Sequence, residues 1–428
     1  MRTVIAFTLL VLLPAAALAE GITVGDEFAV CAKGPGGNAR GTPAVARGTD
    51  GYLAVWREGW HGKGGSARIY AARISPDGKV LDAKGLEIAT SKKGVQVAPR
   101  IAFARSTGSG QGGGNFLVVW QDFRNGKDHD ILAARVSPDG KVLDAKPIAV
   151  AAGPRSQVLP DVASDGKNFL VVWQGMKGEA TGYTGFAAPV GADGRVGTAV
   201  ETGAAPMPRI SWNDGKYLAI CGISETLAVL LGTDGKPLNK SVTAIGRSKG
   251  ASYSVSGVPG KGWLVIGHRS PPDPWGWGGP GAMRCGFVKA DGTLENNSAV
   301  KEPSGNWNKL ENWLDVGGRK RTTWPYGANA SAWDGTHSVA VWQRHHITGE
   351  KKSSFTNCEV MAARVDGWKP VDAEGVPVAA TQEQEMRPVT ASDGAGNLLC
   401  VYERHEKSGN VVIAGRTLTT GKGETTPP

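Results

Sequence analysis

The sequence predicts an all-β protein, a seven-bladed β-propeller closed by an N-terminal strand in its last blade. Three observations predict it. One stretch of sequence recurs along the chain, its apolar runs are strand-length and bounded by Asp-Gly turns, and the strand missing from the last copy stands ahead of the first.

The recurrence is plainest in YAARISPDGKVLDAKGLEIA (70–89) and LAARVSPDGKVLDAKPIAV (132–150). NFLVVWQD (115–122) precedes the second of these, and LPDVASDGKNFLVVWQ (159–174) starts the next copy. The unit is therefore a short strand, an Asp-Gly turn, a strand ending in Trp, a variable segment, an Ala-Ala-Arg strand, a Pro-Asp-Gly turn and a fourth strand. Composition agrees, because 62 Gly and 25 Pro in 428 residues favour many short strands over long helices.

Second strands end at Trp56, Trp120, Trp173, Cys221, Gly267, Trp342 and Tyr402. Third strands carry Ala72-Arg73, Ala134-Arg135, Ala188-Pro189, Val229-Leu230, Gly286-Phe287, Ala363-Arg364 and Gly415-Arg416, which makes seven copies. First strands start at Pro43, Pro99, Pro160, Pro208, Ser252, Asn329 and Pro388, so the period varies and its variation sits in loops. The seventh copy stops near Thr417, and EFAVCA (27–32) resembles the fourth strands of other copies. The Cys31 strand is expected to pair with the strand around Arg416, leaving no open end.

The stretch PDVASDGKNFLVVW (160–173) resembles the repeats of Tol-type periplasmic propellers. The whole unit, LVVW…AARVSPDGKVLD, resembles that of bacterial exported propeller proteins, over residues 27–418 at repeat level. That resemblance implies a fold and a compartment. SPDGKVLD does not match the sialidase Asp-box, so no catalytic residue carries over.

Residues 1–19, with Arg2, an apolar run and Ala17-Leu18-Ala19, read as a signal peptide cut before Glu20. Periplasmic or secreted location is expected, with the propeller over 20–420 and a disordered tail over 421–428. No later run is apolar enough to span a membrane. The net charge of +9, one lower without Arg2, suits an acidic polysaccharide or envelope polymer better than nucleic acid in an exported protein. Five Cys with no C-x-x-C spacing give no metal or redox motif, and buried thiols are expected. No metal or cofactor is expected, and a monomer is.

First-to-second and third-to-fourth turns share one face. Their Asp residues are explained by turn geometry. Second-to-third loops and blade connections share the other, where the copies depart from the repeat: 57–68, 122–130, 268–281, 302–327 and 343–354. Trp275, Trp277 and Trp324 are candidates for sugar stacking, although Trp307, Trp313 and Trp324 could equally form a small core under their long insertion. Two residues past the second-strand ends stand Glu58 and Asp122, but Arg269, Arg344 and Arg404 in the last three blades, with His345 and His405 next to them. Three arginines converging on the channel mouth would suit a carboxylate or sulfate; the alternative is that each pairs with a nearby acid or backbone group. Asp122, Asn125, Asp128 and Asp130 could hold Ca²⁺ but lack the EF-hand order, and a solvated loop is the simpler reading.

The expected function is thus an exported scaffold gripping an acidic polysaccharide or an envelope protein through its Trp/Arg/His face. The alternative is a glycoside hydrolase or polysaccharide lyase using Glu58 or Asp122 as acid or base.

Overall fold

In the computed structural model, each copy of the repeat is one antiparallel sheet whose strands run in chain order from the centre outwards. The structure describes residues 21–32, 39–59, 65–89, 94–105, 113–176, 182–203, 208–221, 226–239, 242–245, 253–269, 282–295, 323–324, 329–347, 355–367, 369–372 and 375–421. Blade 1 consists of Arg40–Arg47, Tyr52–Gly59, Ala67–Ile74 and Leu86–Glu87. Blade 2 consists of Gln96–Ala104, Asn115–Asp122, Asp130–Val136 and Ile148–Ala151. Blades 3 to 6 begin with Gln157–Ser164, Arg209–Asn213, Tyr253–Val258 and Asn329–Trp333. Blade 7 consists of Gln384–Ser392, Asn397–His405 and Val411–Thr420. The fourth strand of blade 5, the leader and the tail lie outside the described residues.

Closure occurs as the sequence implies. Phe28–Cys31 pairs antiparallel with Val411–Thr420, Phe28 opposite Gly415 and Cys31 opposite Ile413. Ile22–Val24 adds a further stretch to the same edge, with Val24 opposite Leu418. The core divides into seven apolar clusters, one between each pair of neighbouring blades, including one that joins blade 7 to blade 1. An open row of seven blades would have only six such interfaces. First strands likewise neighbour one another all the way round, blade 7 against blade 1 included.

The repeated stretch has a structural cause. In blade 1, Asp82 accepts the Arg73 backbone N–H at 2.9 Å and its guanidinium at 2.8 Å through both oxygens. Asp144 does the same for Arg135, and Asp372 for Arg364. A bidentate pair of this kind pins the outer turn to the third strand. The next blade's Pro-Asp-Gly turn then seats on that guanidinium. A Cβ on Gly140 would stand 2.9 Å from Arg73 Nε, and φ there is +88°, so both space and backbone call for glycine. Gly194 has the same φ and stands in the same relation to Arg135. All five cysteines are buried and free, as small apolar side chains in strands.

Candidate functional site

A first strand pairs on one edge with its second strand and turns the other toward the axis, so seven of them enclose a channel. A cavity of about 410 Å³ occupies it and is lined from all seven blades. Its residues, among them Thr42, Arg100 and Arg387, come from the early part of each first strand. Those strand starts follow the blade connections and, as with Arg40 opposite Glu58, lie beside the ends of the second strands. The cavity therefore occupies the half of the channel on the side of the variable loops.

A repeated bulge shapes this mouth. Thr42, Ala98, Leu159 and Arg387 each precede a proline, and each has φ between 52° and 54°. At each, the pairing with the second strand shifts register. Left-handed backbone on non-glycine residues costs on the order of 1 kcal/mol or more and persists only where surroundings enforce it. The enforcement comes from the preceding blade. Glu403 accepts the Thr42 N–H at 2.7 Å, Gln121 the Leu159 N–H at 3.3 Å and Gln343 the Arg387 N–H at 3.2 Å. All three acceptors directly follow the buried aromatic residue of their second strand, Tyr402, Trp120 and Trp342.

The bulge delivers charge to the channel. Arg100 and Asp161 each follow the proline of such a bulge and line the cavity, as do Arg209, which follows Pro208, and Arg387. Arg100 and Arg209 each donate to the carbonyl of their own preceding proline at 2.9 Å. Asp161 accepts the Ile210 N–H at 3.0 Å through Oδ2, while its Oδ1 lies 3.6 Å from Arg100 Nε, beyond hydrogen-bond length. Burial brings the Arg100 pKa down to about 10 from 12.5; the Arg209 charge adds to this and Asp161 opposes it. The group stays cationic at neutral pH, in a place where a bound anion would stabilise it.

A second cationic group sits at the seam of blades 7 and 1. Glu403 is fully buried, takes both oxygens to Arg387 at 3.0 and 3.1 Å, and lies 2.8 Å from His405 Nε2. Burial opposes its ionisation, but His405, Arg387 and the Thr42 N–H outweigh burial and hold it below the usual carboxylate range. Buried Arg57 is pulled down by burial and supported by Glu403. Facing this cationic arc, blades 5 and 6 contribute Tyr253, Ser254, Asn329 and Ser331. Ser254 Oγ is buried and has no hydrogen bond among the described residues.

Of the residues singled out in sequence, Glu58, Asp122, Arg344 and Arg404 stand outside the cavity lining. Glu58 is buried, ion-paired with Arg40 at 3.2 Å, and accepts the Trp56 indole N–H at 2.9 Å. Asp122 accepts the Trp120 indole N–H at 2.9 Å, and Arg124 occupies both its oxygens. Both carboxylates serve their own blade rather than an open acid or base position. Residues i and i+2 share a face of a strand, which is why the carboxylate reaches the indole. Arg344 pairs with Glu359 at 3.1 Å, and Arg404 with Glu27 and with Glu406 at 3.1 Å. Neither lines the cavity, and each follows the alternative in which it pairs with a nearby acid.

Arg269 and His345 are placed by backbone only, opposite Ala282 and Cys358. The Trp324 backbone pairs with that of His345. Trp275 and Trp277, and the expected neighbourhood of 268–281 with 302–327, lie outside the described residues. The channel arginines were within reach of sequence, because the residue after each first-strand proline changes from Ala44 to Arg100, Asp161 and Arg209 across copies.

One buried acid beside this region is open to a direct test. Glu385 is fully buried; Thr381 donates to its Oε1, and Oε2 has no hydrogen bond among the described residues. Burial raises its pKa, opposed by Thr381 and reinforced by Glu27. A carboxyl whose folded pKa is raised favours folding at low pH, and that contribution is lost as pH rises through the unfolded value toward the folded one. Glu385→Gln is therefore expected to melt a few degrees above wild type near pH 8 (~8), with the gap closing toward about pH 4. A gap independent of pH would count against a neutral Glu385.

No protein-family model matches the chain, and no curated protein is similar to it in sequence. Among solved structures, it superposes on a Trypanosoma rangeli sialidase in complex with sialic acid with a TM-score of 0.49 at 9% identity, covering 95% of this chain and 60% of that one. A protein of unknown function from Dyadobacter fermentans gives 0.47 at 7% identity, over 94% and 100%. A Penicillium chrysogenum α-L-arabinanase complexed with arabinobiose gives 0.44 at 12% identity, over 92% and 98%. The fold rests on the seven sheets and their seven interfaces, to which likeness at this level adds neither a ligand nor a reaction.

Proposed function

We propose that this is an exported propeller that binds an acidic polysaccharide, with a carboxylate of the ligand held in the channel mouth. The observation that carries the reading is the convergence of Arg100, Arg209 and Arg387, from three different first strands, on one cavity whose opposite wall is hydroxyl and amide. Guanidinium groups aimed at one space suit planar carboxylates, and the neutral arc suits sugar hydroxyls. Trp275, Trp277 and Trp324 are the candidates in the sequence for stacking on the sugar rings of such a ligand. Among the described residues, no helix is long and apolar enough to cross a membrane.

Calorimetric titration with oligogalacturonate and alginate oligomers, beside neutral oligosaccharides of equal length, tests the reading. Binding should favour the acidic ligands and weaken as salt rises. Arg100→Ala should lower acidic-ligand affinity about ten- to a hundred-fold, the range expected for hydrogen bonds to a charged partner. Equal binding across the panel would sink the carboxylate reading.

A further inference from the structure

We infer that Asp161 is a specificity-determining residue that makes the channel mouth select a singly charged hydroxycarboxylate, such as a uronic acid, over sulfate, phosphate or a carboxylate without hydroxyls. The inference rests on the carboxylate-binding reading above and sharpens its ligand class.

The argument is one of charge and unmet hydrogen bonds. Arg100, Asp161 and Arg209 come from consecutive blades 2, 3 and 4 and line one cavity. Arg387, the third guanidinium of the cavity, is paired with Glu403, so Arg100 and Arg209 against the Asp161 carboxylate leave one positive charge in excess. A monoanion neutralises that excess, while a dianion overshoots it beside a fixed carboxylate. Asp161 is nearly buried, at 9% exposure, and its Oδ2 is held by the Ile210 N–H, so it cannot swing away. Its Oδ1 stands 3.6 Å from Arg100 Nε, a distance at which no hydrogen bond is made. An ionised oxygen in that state calls for a donor, which sulfate lacks and a sugar hydroxyl supplies, while the phosphate dianion is disfavoured by its second charge. Across the cavity, Ser254 Oγ is likewise buried without a hydrogen bond among the described residues. A ligand that satisfies all of these groups carries one carboxylate and several hydroxyls.

The test uses the full chain and four probes: D-galacturonic acid, cyclohexanecarboxylate, sodium sulfate and inorganic phosphate. Wild type should bind galacturonate at least about ten-fold more tightly than the other three. Asp161→Asn keeps the acceptor for Ile210 and removes the charge. It should weaken galacturonate about ten-fold, strengthen sulfate and phosphate, and so reverse the order. Ser254→Ala, which leaves every ion pair intact, should weaken galacturonate and leave sulfate unchanged. Thermal melts of both variants establish that they are folded. Wild type binding galacturonate with Asp161→Asn indistinguishable from it would overturn this inference and leave the carboxylate reading standing. No galacturonate binding by wild type would overturn both.

Discussion

Deletion of residues 1–32 is expected to leave no stable propeller, although it removes nothing from the other six blades. Val30 and Cys31 are 1% and 2% exposed and belong to the cluster that joins blade 7 to blade 1, with Tyr52, Trp56, Val401 and Ile413. Ile22 lies in the cluster between blades 6 and 7, and Phe28 packs at the edge of the 7–1 cluster. The Phe28 ring also stands 2.9 Å from where a Cβ on Gly78 would be, so the strand touches the outer turn of blade 1. Glu27 accepts from the Tyr402 hydroxyl and the Arg404 guanidinium, and its removal would leave Arg404 with Glu406 alone. Burying a large apolar side chain is worth about 1.5–3 kcal/mol, so Ile22 and Val30, with Cys31 and partly buried Phe28, amount to a large part of the stability of an ordinary domain. The truncated chain should show no cooperative thermal transition, and a synthetic peptide of residues 21–32 should restore one. A truncated protein that melts like wild type would show that closure contributes little.

That closure was legible because it follows from counting strands, and the blade count was legible because each copy must supply specific residues. Arg73 needs Asp82, and Gly140 needs both its φ and the space over Arg73, so the stretch from third strand to outer turn cannot drift far. The binding candidates were harder to see for the opposite reason. Attention to departures from the repeat leads to the loops, whereas the channel charges of blades 2 to 4 sit at one position within the repeat, after the first-strand proline, and Arg387 sits just before its own. A bulge turns Arg100 and Asp161 into the cavity, and the one before Asp161 is held by Gln121 of the preceding blade, a contact with no trace in local sequence spacing. Alternation along the second strand did place Glu58 and Asp122 on a common face, but that face also carries Trp56 and Trp120, and the indole N–H groups claim the carboxylates.

Glu403→Ala is expected to be the most destabilising single substitution at the seam, costing about 3–5 kcal/mol, the range for breaking a buried ion pair. The side chain does two separate things. It accepts the Thr42 N–H at 2.7 Å, holding the strained bulge of blade 1 from blade 7, and it neutralises Arg387 with buried Arg57 nearby. Glu403→Gln separates the two. Gln121 and Gln343 occupy the equivalent position in blades 2 and 6 and catch the next blade's bulge through an amide oxygen. The glutamine variant should therefore keep the Thr42 contact and lose only the charge, leaving Arg57 and Arg387 to repel each other. Its cost should be intermediate, about 1–3 kcal/mol, the range for leaving charged groups without a hydrogen-bond partner. Raising the salt concentration should recover part of the loss in Glu403→Gln, because Arg387 is half-exposed and its repulsion can be screened. The same addition should recover little in Glu403→Ala, whose additional defect is an uncaught backbone N–H. Urea unfolding of the three proteins at low and high salt gives the ordering directly. Equal stability of the two variants would mean that the charge, and not the bulge contact, is all that Glu403 contributes to closing the ring.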